Sequence, residues 1–202
     1  MQTEIEAKFL NIDIEDIRSR LESIGAVCEQ PMRQMRRVLI EEPQHVSEGS
    51  FIRIRDEGDK VTMVYKRHSK DDATAGIDSA KEIETTVGSF DAAVGIFEAS
   101  GWHHTTYQES RRETWMYDDV EIVIDEWPWI EPYIEIEADS EQKVKDAAEK
   151  LGFDWTEAVF GSTDVIFRRV FPDMSVRGAI DIKEVRFGDP VPKEFNAGKE
   201  SM

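Results

Sequence analysis

Cysteine is all but missing. Cys28 is the only one in 202 residues, so the chain can build neither an internal disulfide nor a cysteine metal site. It is expected as a small buried residue at the turn from the first helix into the second strand. Long apolar runs are missing too, and the first residues are charged rather than signal-like. Both features speak against a membrane partner and set the expectation of a cytoplasmic protein. Positive charge is in deficit, with 25 Lys and Arg against 43 Asp and Glu and a net charge of -18. That balance argues against nucleic acid or an anionic membrane as a partner of the outer surface. Internal repeats and low-complexity tracts are absent as well.

What is present is enough apolar material for one core: 40% hydrophobic residues, of which the aromatic share is 9% of the chain. One domain over residues 1–175 is expected, followed by an extension over 176–202. The extension is weakly apolar, holds two prolines and carries charges of both signs, so it is expected to be flexible, with one short strand at most.

Alternation and helical spacing predict the elements. EIEAKFL opens as a strand. Asp13 caps a helix over 13–24, with Ile14, Ile17, Leu21 and Ile24 on one face and Gly25 as its stop. RQMRRVLIEE reads as a strand, then a loop containing Pro and His, then a strand over 50–56 and a hairpin partner DKVTMVYKR. SKDDATAGIDS is a polar loop and KEIETTV a fifth strand. A helix over 90–100 precedes strands at 103–117 and 119–127, which turn at Asp118-Asp119. PYIEIEAD is the eighth strand, and a last helix spans 140–150. Mostly antiparallel neighbours of this kind can close into a barrel.

The strands share one peculiarity. Glu4, Glu6 and Lys8 fall on one face of the first strand, opposite Ile5, Ala7 and Phe9. Arg53 and Arg55, Lys66, Glu82 and Glu84, Arg112, Asp125, and Glu135 and Glu137 repeat the pattern on later strands. Taken singly, each is a solvated sheet face, where cross-strand pairs contribute little. Together they suit the inside of a closed barrel whose outside is covered by helices. Such an interior is costly unless its charges compensate one another or a ligand does so. Arginine and lysine suit the oxygens of a triphosphate-containing small molecule, and paired carboxylates suit Mg2+ or Mn2+ bridging to it. His45, His68, His103 and His104 read as surface residues. Trp127 and Trp129 are expected to cap the barrel, with a base-stacking platform as the alternative.

This ordered series resembles the CYTH family of triphosphate tunnel metalloenzymes, which includes class IV adenylyl cyclases, thiamine triphosphatases and inorganic triphosphatases. The likeness is carried by EIEAK as an ExExK motif, FIRIRDEGDK, the lysine of VYKR, and the EIE of KEIETTV. It continues through Arg112 with Asp125 thirteen residues later, and ends in PYIEIE. The resemblance implies an α+β fold, an eight-stranded antiparallel β-barrel tunnel with helices packed outside. It implies substrate binding by Lys8, Arg53, Arg55, Lys66 and Arg112. It implies a metal held among Glu4, Glu6, Glu82, Glu84, Asp125, Glu135 and Glu137, the ion being Mg2+ or Mn2+. The implied activity is metal-dependent hydrolysis of inorganic tripolyphosphate or of a nucleoside or thiamine triphosphate. The alternatives are cyclisation of ATP to cyclic AMP and pyrophosphate, and non-catalytic binding of polyphosphate or nucleotide. A monomer or homodimer is expected. Three departures stand out: Ser110 where relatives carry a basic residue, WPWIEP where they carry a glycine-rich turn, and Ser162-Thr163 where they often show Ser-Tyr.

Overall fold

A computed structural model describes residues 2–68 and 80–196, with the backbone alone for residues 2–4, 68 and 80. The polar segment SKDDATAGIDS lies outside the described residues. The described residues form nine strands: β1 (Gln2–Leu10), β2 (Val27–Ile40), β3 (Ser50–Asp56), β4 (Val61–His68), β5 (Ala80–Val87), β6 (His104–Tyr117), β7 (Val120–Trp127), β8 (Ile130–Ala138) and β9 (Glu184–Val185). The order β2-β3-β4-β5-β1-β8-β7-β6 returns on itself through antiparallel β2–β6 pairing. Eight antiparallel strands therefore make the curled sheet, and β9 adds a short parallel rung to β6 at Tyr107 and Gln108.

Helices cover the outside because the outward positions are apolar. On β1, Ala7 and Phe9 turn outward with Ile122, Ile124, Ile134 and Ile136. There they pack under α1 (Ile14–Ser23) and α4 (Glu141–Lys150) through Ile17, Leu21, Val144 and Leu151. Asp13 caps α1 by accepting the Asp16 N–H at 2.9 Å. α3 (Phe90–Ala99) lays Phe90 and Ala93 on Val38, Ile40 and Ile54, and Ser89 caps it. On β5 the outward Ile83 stays 58% exposed.

A further core draws on the inward face. Trp127 and Tyr133 pack with Ile166 and Phe167 of α5 (Thr163–Val170) and with Ala179, Ile182, Val185 and Phe195 of the C-terminal segment. Four buried apolar side chains thus anchor a stretch whose composition reads as weakly apolar, and among its described residues the only strand is the two-residue β9. The turn between β7 and β8 lacks glycine, and Trp129 takes φ 71 there, in the left-handed region. Its indole N–H donates to the Asp189 carbonyl at 2.7 Å and its ring packs on Phe195, which holds the residue in that conformation.

Three local expectations are corrected. The Pro and His loop is the helix α2 (Pro43–Glu48), begun by a Pro in its first turn and closed by Gly49 at φ 66. His45 is buried rather than on the surface, because its Nδ1 accepts the Glu42 N–H at the start of that helix. Cys28 lies on β2 and is exposed. His103 and His104 are exposed as expected. Among the described residues no helix is long and apolar enough to cross a membrane.

Candidate functional site

The barrel interior is a cavity of about 760 Å³. Strand alternation delivers its lining. Glu6 and Lys8 come from β1, Arg53 and Arg55 from β3, Lys66 from β4, Glu82 and Glu84 from β5, Arg112 from β6, and Glu135 and Glu137 from β8. Register brings these together across strands: Glu6 faces Glu137, Lys8 faces Glu135, Lys66 faces Glu82, and Arg112 faces Asp125. The side chain of Glu4 lies outside the described residues.

Glu6, Glu135 and Glu137 each place a carboxylate oxygen within 4.8 Å of the others. Lys8, only 2% exposed, stands among them, its Nζ at 2.5 Å from Glu6 Oε1 and 3.2 Å from Glu135 Oε2. Burial by itself lowers the pKa of an ammonium, but Glu135 and Glu6 outweigh it and hold Lys8 above its ordinary value. Burial likewise opposes ionisation of Glu135, and Lys8 and Arg112 overcome it, pulling that carboxyl down to about 2. Three hard oxygen donors at such spacing fit a divalent cation of the Mg2+ or Mn2+ type.

Asp125 sits apart from this group. Both its oxygens are taken by Arg112, whose Nε and Nη2 donate at 2.7 and 2.6 Å. Asp125 is almost fully buried and Arg112 largely so, and the aspartate acts as the anchor of the arginine's fork. Arg55 is held by Glu57, its Nε and Nη2 both reaching Oε1 at 3.0 and 2.8 Å, while Thr62 donates to the same oxygen. Arg111, next to Arg112, turns to the other face and meets Glu126 and the Phe187 ring.

Several lining residues escaped the reading of the sequence. Arg33 and Arg37 of β2 enter the cavity together with Met35 and Leu39. The alternation within RQMRRVL that placed Arg53 and Arg55 would have found them. Register sets Met35 opposite Ser110, with Arg33 and Arg37 on either side, so two guanidinium groups flank the position where a basic residue is missing on β6. Arg168 and Arg177 also line the cavity, and they come from α5 and the C-terminal segment. No strand pattern marks them. Arg177 is clasped by Glu41 at 2.8 Å and by Asp181.

Residues 2–164 match the family model described as CYTH domain. Among curated proteins, none matches the chain. Solved structures share the fold. A conserved hypothetical protein from Pyrococcus furiosus superposes with a TM-score of 0.63 at 21% identity, over 77% of this chain and 94% of that one. A candidate adenylate cyclase from Vibrio parahaemolyticus gives 0.67 at 14% identity, over 82% and 97%. A Hippeastrum protein named as a candidate adenylyl cyclase with a dominant triphosphatase activity gives 0.53 at 14% identity, over 82% and 95%.

Proposed function

The chain belongs to the CYTH domain family, and from that premise we propose that it hydrolyses a linear triphosphate, inorganic or organic, in a reaction that depends on a divalent metal. One observation carries the reading: a cluster of three carboxylates and a set of guanidinium and ammonium groups line the same cavity. Polyanion and cation sites in one enclosure are what a metal-bridged triphosphate needs.

Glu6, Glu135 and Glu137 would hold Mg2+ or Mn2+, which when bound supplies charge neutralisation on the phosphate oxygens. Lys8 bridges Glu6 and Glu135 and helps to keep Glu135 ionised, and its ammonium is within reach of any phosphate that approaches them. Arg112 spends Nε and Nη2 on Asp125, leaving its Nη1 donors for a substrate oxygen in a fixed orientation. Arg53, Arg55 and Lys66 bind the chain of phosphates from the opposite strands. A purine platform lacks support: the Arg37 guanidinium covers the Trp127 ring at 4.4 Å, and the Trp129 N–H is bound to Asp189.

The test is a substrate panel of tripolyphosphate, ATP, GTP and thiamine triphosphate, with Mg2+ and Mn2+ in parallel and products resolved. Phosphate release is expected, abolished by chelator and by Glu6→Gln. Arg53→Ala and Arg55→Ala should weaken triphosphate binding far more than Arg111→Ala. Full activity in excess chelator, or cyclic AMP as the main product with no phosphate from tripolyphosphate, overturns the reading.

A further inference from the structure

We propose that Arg37, the indole N–H of Trp127 and the first turn of α5 form a subsite for the terminal phosphoryl group of the substrate, and so set the direction in which a triphosphate lies in the barrel. The inference rests on the triphosphatase reading above.

Trp127 is 5% exposed and lines the cavity, yet among the described residues its buried Nε1–H has no hydrogen-bond acceptor. Buried donors are ordinarily paired, so an unpaired one beside an open cavity points to an acceptor that arrives with a ligand. Arg37 stacks on the same ring at 4.4 Å and spends its Nε on Gln108 at 2.7 Å. Burial, with Arg53 and Arg55 adding to it, pushes Arg37 down to about 9, so the site favours an incoming anion. The nearby carboxylate is Asp164, whose Oδ1 accepts the Ile180 N–H at 3.4 Å.

The third part is α5, an eight-residue helix that opens at its N-cap Ser162. Ser162, Thr163 and Asp164 line the cavity, so the helix presents its N-terminal turn to the space that Trp127 and Arg37 border. A terminal phosphoryl group carries up to two charges on three unesterified oxygens, whereas an internal one carries a single charge on two. A guanidinium, an indole N–H and helix N–H groups converging on one place match the terminal group better. The Glu6, Glu135 and Glu137 cluster would then meet the phosphates further along the chain.

Calorimetric binding of two probes decides the matter: linear tripolyphosphate, and cyclic trimetaphosphate, which has no terminal group. Both are titrated with the same divalent ion into the full chain. Trp127→Phe keeps the ring and removes the donor. It should weaken tripolyphosphate about tenfold while leaving trimetaphosphate unchanged. Arg37→Lys, titrated at mildly acidic pH so that the buried ammonium stays charged, loses the fork and should show the same selective loss, which keeps the question open to test if the tryptophan variant folds poorly. Equal weakening of both probes, or no change with tripolyphosphate, overturns the subsite alone. A wild-type protein that binds neither probe sinks the triphosphatase reading with it.

Discussion

Replacing Arg112 by methionine isolates what the charges inside the barrel do for the fold from what they do for a ligand. Asp125 is 1% exposed, and the guanidinium of Arg112 supplies two short bonds to it, at 2.7 and 2.6 Å. Methionine fills much of the arginine's volume but leaves that carboxylate desolvated and unpaired. Breaking a buried pair from one side costs about 3–5 kcal/mol, a large part of the ~5–15 kcal/mol that holds a domain together. For a chain of 202 residues this corresponds to a fall of about 10 °C in Tm. Removing both charges in Arg112→Met/Asp125→Leu should recover most of the loss, since an apolar pair of similar volume avoids the desolvation penalty. Urea denaturation of the wild type, both single variants and the double variant measures the coupling, expected to equal the stability recovered in the double variant plus the cost of Asp125→Leu alone. Triphosphate affinity should stay low in both variants lacking Arg112. A single variant within about 1 kcal/mol of wild type, or a double variant no better than the single, would refute the reasoning.

Two further outcomes concern pH and the C-terminal segment. Glu135 is held at about 2 in the folded chain, below its unfolded value, so its contribution to stability is complete above roughly pH 4.5 and is lost as pH falls toward 2. Glu135→Gln should flatten that acid limb in denaturation curves recorded from pH 7 down to 2.5, and an unchanged acid limb would show that Lys8 and Arg112 do not hold this carboxylate as described. Phe195 is 1% exposed and packs on Phe167, Phe171 and Trp129. Phe195→Ala should cost about 3–5 kcal/mol, readable as a lowered denaturation midpoint, whereas a frayed tail would tolerate it.

Local pattern carried much of the fold. The caps Asp13 and Ser89, the Asp118-Asp119 turn and strict alternation along β1, β3 and β8 depend on near neighbours alone, and neighbours are visible in a sequence. Alternation also predicted which charges share a face: ten of them line the cavity, Asp125 is spent on Arg112 instead, and the side chain of Glu4 lies outside the described residues. The α2 helix was hidden because its start depends on His45 folding back on Glu42, inside a stretch too short for helical periodicity to show.

The site needed more than faces. Alternation says that Glu6, Lys8, Arg112, Asp125, Glu135 and Glu137 point inward, but it does not say which of them meet. Register and closure decided that Lys8 stands between Glu6 and Glu135, and that Arg112 takes Asp125 out of the carboxylate cluster. The C-terminal segment shows the same division. Its thin apolar content reads as an extension, yet Ala179, Ile182, Val185 and Phe195 are enough because Trp127, Tyr133 and α5 offer a surface already built. Which side chains share a face follows from the chirality and period of the chain. Which charges find a partner depends on distances across strands far apart in sequence, and those exist only once the barrel has closed.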